Sequence, residues 1–282
     1  MVFLGSEALA AGVLNRNQLR TKYDAVHRDV YVARGTVLTP VDKARAAWLW
    51  SRRRGVAVGL SAAALHGCKW IDAVHPAELN QSSRSAPTGI VIHSDELLPA
   101  EVAEQHGIRM TSPARTGFDL GRRRGLTMAV IRVDALLQTA KLTIADVESL
   151  SVQHRGARGI RQLRDVLVLA DDGAESPQET RLRLVLTKAG MRPTRTQIEV
   201  YDKYRLIGRL DMGWPEWKVG VQYDGAQHWT DPRQRTLDIE QDVAYRDCGW
   251  RIVRVGADLL RHRQTTIVRR VQAELRSAGA KC

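Results

Sequence analysis

Four side chains in the last third of the chain are of types that hold a hard cation and move protons: Asp211, Gln222, Asp224 and His228. Asp211 lies in the extended run Leu210-Asp211-Met212. Gln222 and Asp224 close the next run, Trp217 to Tyr223, after the break at Trp214-Pro215-Glu216. Strands joined this closely pair as a hairpin, which brings a carboxylate, an amide oxygen and a second carboxylate together. Oxygen ligands of that kind suit Mg2+ (or Mn2+). A bound divalent ion polarises a phosphate and lowers the pKa of a water, which points to phosphodiester hydrolysis. His228 titrates near neutrality and could pass the proton. The same residues have plainer readings. Asp224-Gly225 is a turn signal, and His228 alone fits a hydrogen-bonded turn histidine.

The elements that must position these groups are legible from caps and breakers. Ser176-Pro177-Gln178-Glu179 opens a helix that runs to Gly190, with Ser176 as cap, Pro177 at the first position and Glu179 at the third. Extended runs follow near Thr196–Val200, Ile207–Met212 and Lys218–Tyr223. A helix over Arg233–Asp247, a strand over Arg251–Val255 and a helix from Thr265 to Ala278 complete the order αβββαβα. Asp238, Asp242 and Arg246 share one face of the Arg233–Asp247 helix and read as a salt-bridged surface, with support of the acidic site from behind as the lesser reading. Asp171–Glu175 is the clearest linker.

Upstream of it, Ser6–Gly12 reads as a short helix capped by Ser6 and stopped by Gly12. Asn15–Lys22 reads as a second helix capped by Asn15. His27–Gly35 reads as a turn and a strand ending on an Arg-Gly tip. Helix, turn, helix, strand is the outline of a winged helix-turn-helix shortened at its start, with Arg16, Arg20, Lys22 and Arg34 placed to touch DNA phosphates. The alternative is a capping subdomain on which these cations are only solvated. Helices are expected over Asp42–Arg53, with Trp48 and Trp50 in the core, and over Ser61–Gly67, with Ser61 as cap. Strands fill Pro76–Met110. Helices then cover Ser112–Arg124, Thr127–Ala140, Ile144–Leu150 and Gly159–Ala170, with Arg122-Arg123-Arg124 a solvated basic end.

The 282 residues carry a net charge of +12, of which +8 falls in residues 1–170 and +4 in residues 171–282. That balance favours a polyanionic partner, nucleic acid before a membrane surface. An apolar fraction of 44% argues against disorder. Cys68, Cys248 and Cys282 are isolated thiols, which argues against a zinc site or a disulfide framework and fits a reducing cytoplasm. No apolar run approaches the roughly 20 residues of a membrane span.

The segments SPQETRLRLVL, RLDMGWPEWKVGVQYDGAQHW and DIEQDVAYRDCGWRIVRV, within Glu175–Leu260, resemble the very-short-patch-repair-like endonuclease family, a branch of the PD-(D/E)xK restriction-endonuclease fold. The resemblance implies that Glu179, Asp211 and Gln222 surround a divalent metal, with Asp224 and His228 lining the same site. Three residues depart from the family pattern. Leu210 stands where a proline often precedes the aspartate, Gln222 replaces a glutamate, and Asp224 occupies the place of a lysine. Gln227, His228 or a nearby arginine would have to supply that positive group. Residues 5–125 resemble AbiEi-type antitoxin and transcriptional-regulator proteins through EALAAGVLNRNQLR, VYVARG, SAAALHG and TSPARTGFDLGRR. That resemblance implies a DNA-reading N-terminal domain joined to a central α/β domain.

The expected fold class is thus α/β. A winged-helix-like domain would span residues 1–40, a central α/β domain 41–170, and a restriction-endonuclease-like αβββαβα domain 171–282. The leading expectation for function is a cytoplasmic DNA-binding protein with a magnesium-dependent endonuclease domain serving repair, restriction or defence. The alternative is a catalytically inactive transcriptional regulator or AbiEi-like antitoxin that keeps the nuclease fold as a scaffold. RNA in place of DNA stays open, as does a homodimer.

Overall fold

Five short elements occupy the first 33 residues: β1 (Phe3–Leu4), α1 (Gly5–Ala10), α2 (Arg16–Lys22), β2 (Tyr23–His27) and β3 (Val30–Ala33). The strands form an antiparallel sheet of order β1-β3-β2. Its buried Leu4, Val30 and Val32 pack on Trp48 and Leu49 of the following helix. Gly12 adopts φ +68° just after α1 and ends it, as expected. Asn15 and Gln18 form a reciprocal capping box that starts α2. Ser6 is not the cap of α1. It lies inside the first turn, and its N–H and hydroxyl both donate to Asp29 from the β2–β3 turn, at 2.8 and 2.5 Å. A distant carboxylate therefore does the capping that a local hydroxyl was expected to do.

The structure is a computed structural model that describes residues 1–83, 85–123, 125–225 and 232–281, with side chains described outside 232–239. It divides into two compact units, residues 1–170 and 171–282, so the five elements above and the region after them fall in one unit.

The remainder of the first unit starts with α3 (Pro40–Trp50), which begins two residues before its expected start. Thr39 and Asp42 cap it reciprocally, and Pro40 takes the first position. Next come β4 (Val56–Ala57), α4 (Gly59–Leu65), β5 (Ala77–Asn80), β6 (Ile90–His93), β7 (Val102–Gln105) and β8 (Ile108–Thr111). Their sheet has the order β6-β5-β4-β8-β7, with β5–β6 and β4–β8 parallel. Ala47, Ala57, Ala62, Leu79 and Met110 fill its core with α3 and α4. Ser61 does not cap α4 either. It is buried within the helix and accepts from the Glu78 N–H at 2.8 Å, while a Glu78 carboxylate oxygen accepts from Leu60 N–H at 3.0 Å.

Four helices complete this unit: α5 (Pro113–Arg123), α6 (Leu126–Thr139), α7 (Ile144–Gln153) and α8 (Ile160–Leu169). α5 packs against the other three. A Cβ on Gly121 would come within 2.4 Å of Leu163 Cδ1, so glycine there permits the close approach of α5 and α8. The basic end of α5 is not a solvated patch. Arg122 and Arg123 are largely buried and pair with Asp95 and with the wholly buried Asp119. Helical spacing explains the difference, because Asp119 lies three and four residues before them on the same face. Arg124 lies outside the described residues.

The second unit contains α9 (Pro177–Lys188), β9 (Arg195–Asp202), β10 (Arg205–Trp214), β11 (Val219–Asp224), α10 (Pro232–Asp247), β12 (Arg251–Gly256), α11 (Ala257–His262) and α12 (Gln264–Ser277). The order is the expected one with the short α11 added. Ser176 caps α9 by accepting from Glu179 N–H at 3.2 Å. The sheet runs β12-β11-β10-β9, antiparallel except for the β11–β12 pair. That parallel pair fits the α10 crossover between its strands. Leu182, Leu186, Met212, Val221, Val255, Ile267 and Val271 form the core between this sheet and helices α9 and α12.

Candidate functional site

In the first unit, α2 turns Leu19 into the core and leaves Arg16, Arg20 and Lys22 exposed. These three cations are free to meet phosphates. Arg34 is held differently: its Nε pairs with Asp24 at 3.3 Å and its Nη2 donates to Arg20 O at 2.9 Å. It ties the strand end to α2. A basic groove of about 820 Å3 in the same unit is lined by Arg28, Arg52, Arg54, Ser82 and Ser83. Sequence reading passed over these residues. The signal was the run Arg52-Arg53-Arg54 at the end of α3, where Arg52 and Arg53 both take positive φ and fold the chain back. Arg53 is engaged by Glu7 through two bonds, at 2.5 and 2.7 Å.

In the second unit, Asp211 sits one residue before the Met212–Val221 strand pair, beside the end of β11. Its Oδ2 accepts from Tyr223 N–H at 2.6 Å. Burial pushes its pKa up to about 7, with the charges of Glu179 and Asp224 adding to the rise. Gln222 Oε1 is buried and has no hydrogen-bond partner among the described residues. Glu179 is occupied: it accepts from Ser176 Oγ at 2.7 Å, Glu175 N–H at 2.9 Å and Gln197 Nε2 at 3.0 Å. Burial raises its pKa nonetheless.

Asp224 accepts from Arg254 Nη1 at 3.0 Å. Arg254 stands on β12 at the register position beside Gln222, and Asp242 of α10 grips its Nε and Nη2 at 2.7–3.2 Å. Burial works against the Arg254 charge, but Asp242 and Asp224 more than offset it and its pKa rises. Asp242 therefore supports the site through Arg254, the lesser of the two readings of that helix face, while the Asp238 side chain lies outside those described. The parallel β11–β12 register, which the sequence does not display, makes this arrangement. Arg254 thus brings a positive charge beside Asp224. His228 lies outside the described residues, as do Gln227 and Trp229.

A hard divalent ion fits part of this donor set. Asp211 and the partnerless Gln222 Oε1 are the residues that would hold it, since a desolvated carboxylate and an amide oxygen lacking a donor both gain from a cation. Among the described residues, no three His, Cys, Asp or Glu side chains form a metal-holding group.

Residues 56–169 match the AbiEi antitoxin C-terminal domain family. The matched stretch runs from β4 through α8 and follows the elements β1 to α3. The chain is also similar to two uncharacterized proteins of Mycobacterium tuberculosis, from two strains. Each is 26% identical over 216 residues, covering 76% of this chain and 79% of the relative. No helix among the described residues is long and apolar enough to cross a membrane.

Proposed function

We propose that this chain is a DNA-binding regulator of the antitoxin class, in which the N-terminal helix-turn-helix reads DNA. The observation that carries this reading is the match of residues 56–169 to an antitoxin domain. The exposed Arg16, Arg20 and Lys22 on a capped helix upstream of that match support it. Phosphate contacts from such cations give affinity and orientation, while side chains at the start of the second helix can reach base edges. The test is fluorescence anisotropy with a duplex from the region upstream of the protein's own coding sequence. Tight, salt-sensitive binding that prefers this duplex over a scrambled one is expected. Equal binding to both would refute the regulator reading.

A second reading is supported by the partnerless Gln222 Oε1 and the desolvated Asp211. On it, the second unit is a magnesium-dependent phosphodiesterase. A bound ion would supply Lewis acidity toward the phosphate and an acidified water. Asp211 and Gln222 would hold it, and Arg254, fixed by Asp242, would place positive charge at the edge of the site. Incubation with supercoiled DNA and Mg2+ or Mn2+ tests this. Nicking that disappears in Asp211→Ala is expected, and metal-independent or absent nicking would sink it.

A further inference from the structure

A cavity of about 640 Å3 opens in the first unit, and its walls are drawn from several elements. Gly125 and Gly159, which open α6 and α8, line it, together with Arg122 and Arg123 from α5 and Arg158 from the α7–α8 turn. Three arginines therefore line one space. Glu78 and Asp95 also line it, but both are engaged within the protein. Glu78 accepts from His93 Nε2 at 2.8 Å and from Leu60 N–H at 3.0 Å, and Asp95 pairs with Arg122 and Arg123. Gln162, also in the wall, donates to Gly121 O at 2.7 Å.

Two of the arginines are left incompletely paired. Arg158 is exposed at the rim. Arg123 is largely buried, yet its Nη1 has no hydrogen-bond partner among the described residues. Burial lowers the Arg123 pKa, and the like charge of Arg122 adds to this despite Asp119, Asp95 and Glu78. A guanidinium in that condition gains from an anion.

The helix ends contribute in the same sense. α2, α3, α7 and α9 have side-chain caps, from Asn15, Thr39, Thr143 and Ser176. α6 and α8, which start at this cavity, have none, as is also true of α1, α4, α11 and α12. At Gly159 the reason is steric: φ is +88°, and a Cβ would come within 2.3 Å of Arg122 O. A side-chain cap cannot be built there, so the partial positive charge of the helix end stays available to a ligand.

We propose that this cavity is a binding site for a phosphate-class anion, held by Arg123 and Arg158 at the N-terminal ends of α6 and α8. The ligand is either a free phosphate compound or a backbone phosphate of bound DNA, since both present the same oxygens. The cavity shares no lining residue with α2, and in its free-phosphate form the proposal does not rest on the DNA reading.

Titration calorimetry of the full chain with inorganic phosphate, at constant ionic strength against chloride, tests the proposal. Arg158→Ala removes an exposed side chain and leaves the fold intact. It should weaken phosphate binding at least tenfold. Gly125→Asp supplies a carboxylate at the start of α6. Gly125 has extended N-cap geometry and open space around its Cβ position, so the substitution is accommodated. It should abolish phosphate binding while raising the melting temperature in phosphate-free buffer. Competition between phosphate and duplex DNA, lost in Arg158→Ala, would assign the site to the DNA backbone; phosphate binding with unchanged DNA affinity would assign it to a free ligand. No heat of binding for the wild type, or equal affinity in both variants, overturns the proposal. DNA binding that persists in that event would leave the regulator reading standing.

Discussion

Asp119 should be the most sensitive polar position in the first unit. Its side chain is wholly buried and serves three arginines: Oδ2 accepts from Arg115 Nε at 3.2 Å, and Oδ1 accepts from Arg122 Nε and Nη2 at 3.1 and 2.8 Å and pairs with Arg123 at 3.4 Å. Asp119→Asn keeps the shape and one carbonyl oxygen, but it removes the charge and turns an amide toward guanidinium donors. Breaking a buried ion pair from one side costs about 3–5 kcal/mol. Arg115 keeps Glu101, and Arg122 and Arg123 keep Asp95, so the lower end, about 3 kcal/mol, is expected. For a unit of this size the melting temperature should drop by about 6–12 °C. Urea denaturation followed by circular dichroism, alongside calorimetry to resolve the transition of residues 1–170, measures it. A loss below about 1 kcal/mol would contradict the reasoning, because that is the scale of a solvated surface pair.

Further outcomes follow from the same contacts. Asp211 has a folded pKa near 7 against an ordinary 3.8, so the folded state binds its proton more tightly, and ionisation costs stability as pH rises between these values. Asp211→Asn should therefore stabilise the second unit above neutrality, by at most about 4 kcal/mol, with the gain vanishing toward pH ~4. Denaturation midpoints across that range check it, and a gain that does not change with pH would count against the assignment. Asp242→Asn loosens the grip on Arg254 and should cost roughly 1–2 kcal/mol in denaturant titrations of that unit. Asn15→Ala removes the side-chain half of the α2 capping box, the bond that Asn15 Oδ1 accepts from Gln18 N–H, and should cost about 1 kcal/mol, read as faster amide exchange in Arg16–Lys22.

Local chemistry carried far in this sequence, and long-range pairing is where it stopped. Gly12, the Asn15 cap, the Ser176 cap and the strand runs around Leu210 and Val221 each depend on a few neighbouring residues, and each stands where the residues imply. Ser6 and Ser61 misled because the N–H groups at these helix starts, on Ser6 and Leu60, are taken by the carboxylates of Asp29 and Glu78, 23 and 18 residues away. Arg122 and Arg123 looked solvated because a run of like charges usually is; one partner, Asp119, was within reach of helical spacing, and the other, Asp95, lies on a separate segment of the chain. At the acidic site, Asp211, Gln222 and Asp224 were legible from strand spacing. Arg254 was not, because only the parallel β11–β12 register places it beside Gln222.

The central claim, that the exposed cations of α2 hold DNA, is tested most directly by the salt dependence of binding. Affinity for the upstream duplex would be measured across a series of salt concentrations for the wild type, for Arg16→Ala, Arg20→Ala and Lys22→Ala, and for Asp211→Ala as a control. Each α2 substitution should weaken binding and flatten the log–log salt slope by about 1, while Asp211→Ala leaves both unchanged. Wild-type affinity and slope in the α2 variants would contradict the account.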